Sequence, residues 1–115
     1  MSFQNRPVTL TYGSKQEVTI TTSAGTSQLF ASGLTGPVQA RLVNHDTADR
    51  VAFRFGKKAD TDVVALATSP TLPKGPVLEI ITVFPNEDGS DVYWNVIGGA
   101  STGGGKFEVT KAQGI

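Results

Sequence analysis

Apolar and polar positions alternate along this chain in short runs, and each run ends in a cluster of turn-forming residues. In Val38–Asn44, Val38, Ala40 and Leu42 fall on one side, and Gln39 and Arg41 fall on the other. That period of two belongs to a β-strand, whose successive side chains point to opposite faces. The pattern recurs in Arg50–Phe55, where Val51, Phe53 and Phe55 alternate with Ala52 and Arg54. In 92–97, Val92, Trp94 and Val96 oppose Tyr93, Asn95 and Ile97, and in 106–111 the apolar positions are Phe107 and Val109. Earlier in the chain, 8–12 and 16–22 alternate on either side of Gly13-Ser14, and 27–31 makes a shorter run. Residues 63–68 form a further apolar run. Val77–Phe84 is the most apolar segment, with Leu78, Ile80 and Phe84 on one face and Val77, Ile81 and Val83 on the other. Large side chains on both faces predict a central strand covered on both sides, or one that carries an intersubunit contact.

The punctuation supports the same reading. Asn44-His45-Asp46-Thr47 has side chains that bond their own backbone in turns, so it joins one strand to the next. Ser69–Pro76 contains three prolines, which fix φ and remove donors, and it is expected to be neither strand nor helix. Pro85–Asp91 is a polar loop, and Gly98-Gly99 and Gly103-Gly104-Gly105 flank a turn. Eight or nine short strands at this spacing predict an all-β fold, an antiparallel two-sheet β-sandwich of about eight strands. A jelly-roll-like winding suits that number, with an immunoglobulin-like order as the competitor. Residues 1–6, polar apart from Phe3 and followed by Pro7, read as an N-terminal arm, and residues 7–115 as a single sandwich domain.

Composition narrows the function more than it sharpens the fold. The 115 residues suffice for one domain that buries about two thirds of its unfolded surface. Thirteen Gly and six Pro favour strands and turns, and no long helix is expected. Ten basic residues balance ten acidic ones, without the positive excess that draws a protein to phosphate, so no nucleic-acid partner is expected. There is no Cys, which excludes disulfides and thiolate metal sites. The first residues lack the apolar core of a secretion signal, and no stretch approaches the roughly twenty apolar residues that span a bilayer. A soluble protein made in a cytoplasm, without a membrane partner, is the expectation.

Candidate chemistry is sparse. His45, the only histidine, has Asp46 and Asp49 nearby, but a metal site wants three or four converging ligands and a turn explains the same residues. Asn86-Glu87-Asp88-Gly89-Ser90-Asp91 concentrates oxygen ligands without the spacing of a helix-flanked calcium loop, so a solvated hairpin loop is expected. Gly103-Gly104-Gly105-Lys106 fails as a phosphate-binding loop: Ala100 stands where the first Gly belongs and Phe107 where the hydroxyl belongs. Tyr93 and Trp94 are neighbours on a strand and point to opposite faces, so they cannot together form a sugar-stacking platform. With one His and no thiol, nothing singles out a nucleophile and its base. No catalytic residue, metal or cofactor is expected, and the chain reads as a shaped surface built for binding or assembly.

Four stretches carry a resemblance to a known group. They are Ala40-Arg41-Leu42-Val43-Asn44, Val51-Ala52-Phe53-Arg54-Phe55-Gly56, Leu72-Pro73-Lys74-Gly75-Pro76-Val77-Leu78-Glu79-Ile80 and Lys106-Phe107-Glu108-Val109-Thr110. In them residues 38–115 resemble small all-β virion proteins of tailed bacteriophages, most of all capsid cement or decoration proteins. The Pro85–Asp91 loop and the Tyr93-Trp94 pair depart from that group. The shared positions are turn and core positions, so no functional residue is carried over. The resemblance implies a structural virion protein on the capsid surface that binds and bridges major capsid proteins and forms homo-oligomers, dimers or trimers. A tail or fibre accessory protein and a carbohydrate-binding module are the alternatives. Phe3 as an apolar anchor and Arg6 as a charged one, both on the arm, are interface candidates together with Trp94, which reads equally as core.

Overall fold

A computed structural model describes residues 12–112. The elements in order are β1 (Tyr12–Thr19), β2 (Gln28–Ala31), β3 (Val38–Asn44), β4 (Val51–Gly56), a single helical turn α1 (Lys58–Thr61), β5 (Thr71–Leu72), β6 (Val77–Val83), β7 (Val92–Gly98) and β8 (Lys106–Ala112). They form two four-stranded antiparallel sheets in the orders β1-β8-β3-β6 and β2-β7-β4-β5. β4 pairs with β5, β3 with β6, β2 with β7 and β1 with β8, each antiparallel. The chain is therefore one long hairpin with its bend between β4 and β5, rolled up so that nested pairs alternate between the sheets. That winding is a jelly roll, and it decides between the two sandwich orders the strand pattern left open.

Alternation explains what fills the space between the sheets. β8 contributes Phe107 and Val109, β3 contributes Ala40 and Leu42, and β7 contributes Val92, Trp94 and Val96, all buried. Phe107 of the first sheet meets Trp94 of the second at a ring-centroid distance of 5.9 Å and stacks against Phe53 at 6.4 Å. Each such fully buried apolar side chain is worth about 1.5–3 kcal/mol of transfer free energy, so this seam holds the layers together. The Trp94 indole Nε1–H donates to Gln16 Oε1 at 2.9 Å, and the Gln16 amide donates to the Leu29 carbonyl at 2.8 Å. One glutamine on β1 thereby satisfies a buried donor of the other sheet and ties the two sheets where β1 and β2 meet.

Local expectations differ from the structure in four places. The runs 8–12 and 16–22 do not break at Gly13-Ser14: β1 continues through it, with a register shift between Tyr12 and Lys15 that absorbs the pair. Residues 8–11 of the first run lie outside the described residues. The apolar run 63–68 is not a strand; it follows α1 as turns that tuck Val64 into the interior while Val63 stays exposed. Ser69–Pro76 does contain a strand, β5, because its two residues sit between Pro70 and Pro73 and pair with Val51 and Ala52 without using a proline donor. Val77–Phe84 is not central: β6 is an edge strand whose outer side chains remain in water.

Candidate interaction surface

The two sheets differ in what covers their outer faces. On the β2-β7-β4-β5 sheet, Asn95 points away from the core and is nevertheless buried, because α1 packs over β4 and β7. The Asn95 amide donates to the carbonyls of Gly25 (2.8 Å) and Thr61 (3.1 Å). The Thr61 hydroxyl donates to Ser27 Oγ at 2.7 Å, and the Ser27 hydroxyl donates to Asp62 at 2.5 Å. A polar chain thus fastens the helical turn over β4 and β7, while Leu29 on β2 stays 44% exposed at the edge of that face.

The outer side of β6 is different. Leu78 and Ile80 are each 49% exposed, and Phe84, one residue past the strand on the same parity, is 66% exposed. With Thr82 they make a ridge along the edge of the β1-β8-β3-β6 sheet. The core side of β6 holds Val77, Ile81 and Val83, packed on the interior, so hydrophobicity on the opposite side is not needed to seat the strand. Glu79 shares that core-side parity yet remains exposed at the rim.

Across the same outer face the register places Glu17, Glu108, Val43 and Leu78 in one row. Lys15, Thr110, Arg41 and Ile80 form the next. The face therefore grades from charge over β1 and β8 to hydrocarbon over β6. The His45 ring Nε2 lies 2.6 Å from Glu108 Oε2, Lys15 Nζ lies 3.5 Å from the same oxygen, and Lys15 Nζ is 3.7 Å from Glu17. Burial works against the Glu108 charge, but the His45 hydrogen bond and the Lys15 ammonium outweigh it and hold the carboxyl below its ordinary value.

The other candidate residues have structural duties. Asp46 is 2% exposed and accepts from the Thr102 hydroxyl, from the Ala48 N–H at 2.9 Å and from the Gly103 N–H at 3.1 Å. The Asn44 side chain accepts from the Asp46 N–H at 2.9 Å and donates to the Pro73 carbonyl at 2.9 Å. So the Asn44–Thr47 turn does bond its own backbone, and it also pins the loops around Pro73 and Gly103. The glycine run exists for that approach: a Cβ on Gly105 would lie 2.5 Å from Asp46 Cα. Sequence reasoning missed this junction, although a turn aspartate and a distant triple glycine were its only signals.

The acidic loop is likewise self-satisfied. Asp88 accepts from the Ser90 hydroxyl (2.6 Å) and N–H (2.9 Å) and pairs with Lys57 at 3.0 Å, and these donors push its carboxyl far below the usual range. Among the described residues no group of three or more His, Asp or Glu is placed to hold a metal ion. No helix among them is long and apolar enough to cross a membrane.

Of the interface candidates, Phe3 and Arg6 lie outside the described residues. Trp94 has no exposed surface, which makes it core and corrects its candidacy as a contact residue. A cleft of about 210 Å³ opens beside β1 and β2, lined by residues that include Val18, Thr21, Gln28 and Asn95. Its described lining carries hydroxyls and amides but no aromatic ring on which a sugar could stack.

These features define a class: a jelly-roll sandwich with one outer face partly covered by its own helical turn and a ridge of three exposed apolar side chains along the β6 edge of the other sheet. Comparison of the chain with protein-family models, with curated proteins and with solved structures finds no match in any of the three.

Proposed function

We propose that this chain is a non-enzymatic structural virion protein of a tailed phage, a capsid cement or decoration protein that binds and bridges major capsid proteins. The observation that carries the reading is the ridge of Leu78, Ile80 and Phe84, apolar surface on an otherwise well-satisfied scaffold. Hydrocarbon held in water along a regular strand is surface waiting for a partner, and a rigid two-layer core presents it without reorganisation. The resemblance of residues 38–115 to virion proteins supplies the kind of partner. Formal net charge is zero, so many copies can sit side by side on a shell without mutual repulsion. Weak contacts repeated by shell symmetry then give avidity that one contact lacks.

The carbohydrate-binding alternative would need an exposed aromatic platform, and Trp94 is inside while Tyr93 is only partly accessible. Co-sedimentation tests the proposal: purified protein is mixed with assembled heads of the phage whose genome carries the gene, and separately with unassembled capsid subunits. Saturable binding to heads at a fixed ratio per capsid subunit is expected. Absence of the polypeptide from purified virions, or its presence in tails alone, would refute the proposal.

A further inference from the structure

We propose that the free edge of β6 is a self-association site, at which two copies of this chain pair β6 to β6 antiparallel about a two-fold axis. The two β1-β8-β3-β6 sheets then join into one continuous sheet. The inference rests on reading the chain as an assembly scaffold and names the first partner of its open edge.

A two-sheet sandwich of this order has four edges, and an edge strand is a template for further pairing unless something blunts it. Three of the four are blunted. β1 carries a register shift between Tyr12 and Lys15 and the charged pair Lys15 and Glu17. β2 has four residues and a register shift between Leu29 and Ala31. β5 has two residues, between prolines. β6 is seven residues long and pairs with β3 in unbroken register from Val77↔Asn44 to Val83↔Val38. Among the described residues no other strand pairs with it. Its one charge is Glu79.

The edge is complementary to itself. With Ile81 opposite Ile81 of the second copy, Leu78 faces Phe84 of that copy and Ile80 faces its Thr82, each contact made twice by symmetry. The exposed hydrocarbon of all three ridge side chains then merges into one strip spanning the joint. In this register the two Glu79 residues stand four residues apart along adjoining strands, about 14 Å at ordinary strand rise and spacing. That exceeds the screening length of about 8 Å in physiological salt. Centring the axis on Ile80 instead brings the two Glu79 residues to about 8 Å and sets Phe84 opposite Pro76, off the end of the strand. Charge and side-chain size therefore select the same register. The resulting dimer carries two identical outer faces, which is the geometry a bridge between two shell subunits needs.

The test uses purified protein alone, so its failure is separate from a failure to bind heads. Because the chain has no Cys, single introduced thiols report register cleanly. Under oxidising conditions an equimolar mixture of Ile80→Cys and Thr82→Cys chains is expected to give cross-linked dimer at least several-fold above either chain alone, since facing residues on neighbouring strands come within disulfide reach. In sedimentation equilibrium the unmodified protein is expected to be dimeric at about 100 µM, and Ile80→Lys to weaken the dimer at least tenfold with its far-UV circular dichroism unchanged. A monomer at that concentration, a dimer insensitive to Ile80→Lys, or equal cross-linking of each cysteine variant with itself overturns the proposal.

Discussion

Replacing Asp46 with alanine probes the junction that fixes three loops at one end of the sandwich. The carboxylate accepts from the Thr102 hydroxyl and from the N–H groups of Ala48 and Gly103. Each hydrogen bond to a charged acceptor contributes about 1.5–3 kcal/mol. Ala48 and Gly103 are exposed, so water replaces part of what their N–H groups lose, and deleting the charge also removes its desolvation penalty. The net destabilisation of Asp46→Ala is about 3 kcal/mol, close to two of the three bonds taken at the low end. In urea, with a slope of about 1–1.5 kcal/mol/M for a chain of this size, the midpoint falls by roughly 2–3 M.

The pH dependence gives a second readout. Burial tends to raise the Asp46 pKa, but the Thr102 hydroxyl and the Ala48 and Gly103 N–H groups together bring it below the ordinary carboxyl value. A carboxyl depressed in the folded state adds stability above its unfolded pKa and loses it as pH falls through the folded value. The difference between the parent protein and Asp46→Ala is thus constant near neutrality and shrinks as pH falls below the ordinary aspartate value of about 3.9. A neutral-pH difference under about 1 kcal/mol, or one that stays constant into acid, refutes the assignment.

Three further substitutions test the same junction from its glycine side and two other joints. Gly105→Ala places a methyl 2.5 Å from Asp46 Cα and 2.8 Å from its nitrogen, backbone that cannot step aside, and is expected to destabilise by about 2–3 kcal/mol in thermal unfolding; a neutral result contradicts the close approach. Gln16→Ala leaves the Trp94 indole N–H without its acceptor, with a loss of about 1–3 kcal/mol in urea and a changed tryptophan emission; unchanged emission and stability contradict the bridge. Asn95→Ala releases the carbonyls of Gly25 and Thr61, so amide exchange in residues 57–69 is expected to accelerate while exchange in β3 and β8 does not; uniform acceleration means the loop is not separately anchored.

Six of the eight strands, β2, β3, β4, β6, β7 and β8, were legible in the sequence to within a residue or so. Val38–Asn44 is β3, Val77–Phe84, Val92–Ile97 and Lys106–Lys111 differ from β6, β7 and β8 by one residue at one end, and Arg50–Phe55 differs from β4 by one residue at each end. This success has a local cause: side chains alternate across a strand whatever its neighbours are, and Gly, Pro, Asn and Asp stop it by their own backbone preferences. The two-layer sandwich class followed from the number of such strands, and the pairing then selected the jelly-roll order. β5 escaped because two residues carry no period, and α1 because one helical turn carries none either.

What only the tertiary structure decided is everything that depends on which strand lies beside which. β1 pairs with β8 from the far end of the chain, and no periodicity encodes that pairing. The same limit governs the interaction surface. Leu78, Ile80 and Phe84 read from the sequence as a covered face, of a central strand or of one carrying an intersubunit contact, since a hydrophobic residue looks the same whether its own chain or another molecule is to bury it. Among the described residues no element covers the outer side of β6, so that face stays in water, while Trp94, equally apolar on paper, was closed in against Phe107. Period is a property of neighbouring bonds and is written in the chain; exposure is a property of the completed packing and exists only once the sheets are stacked.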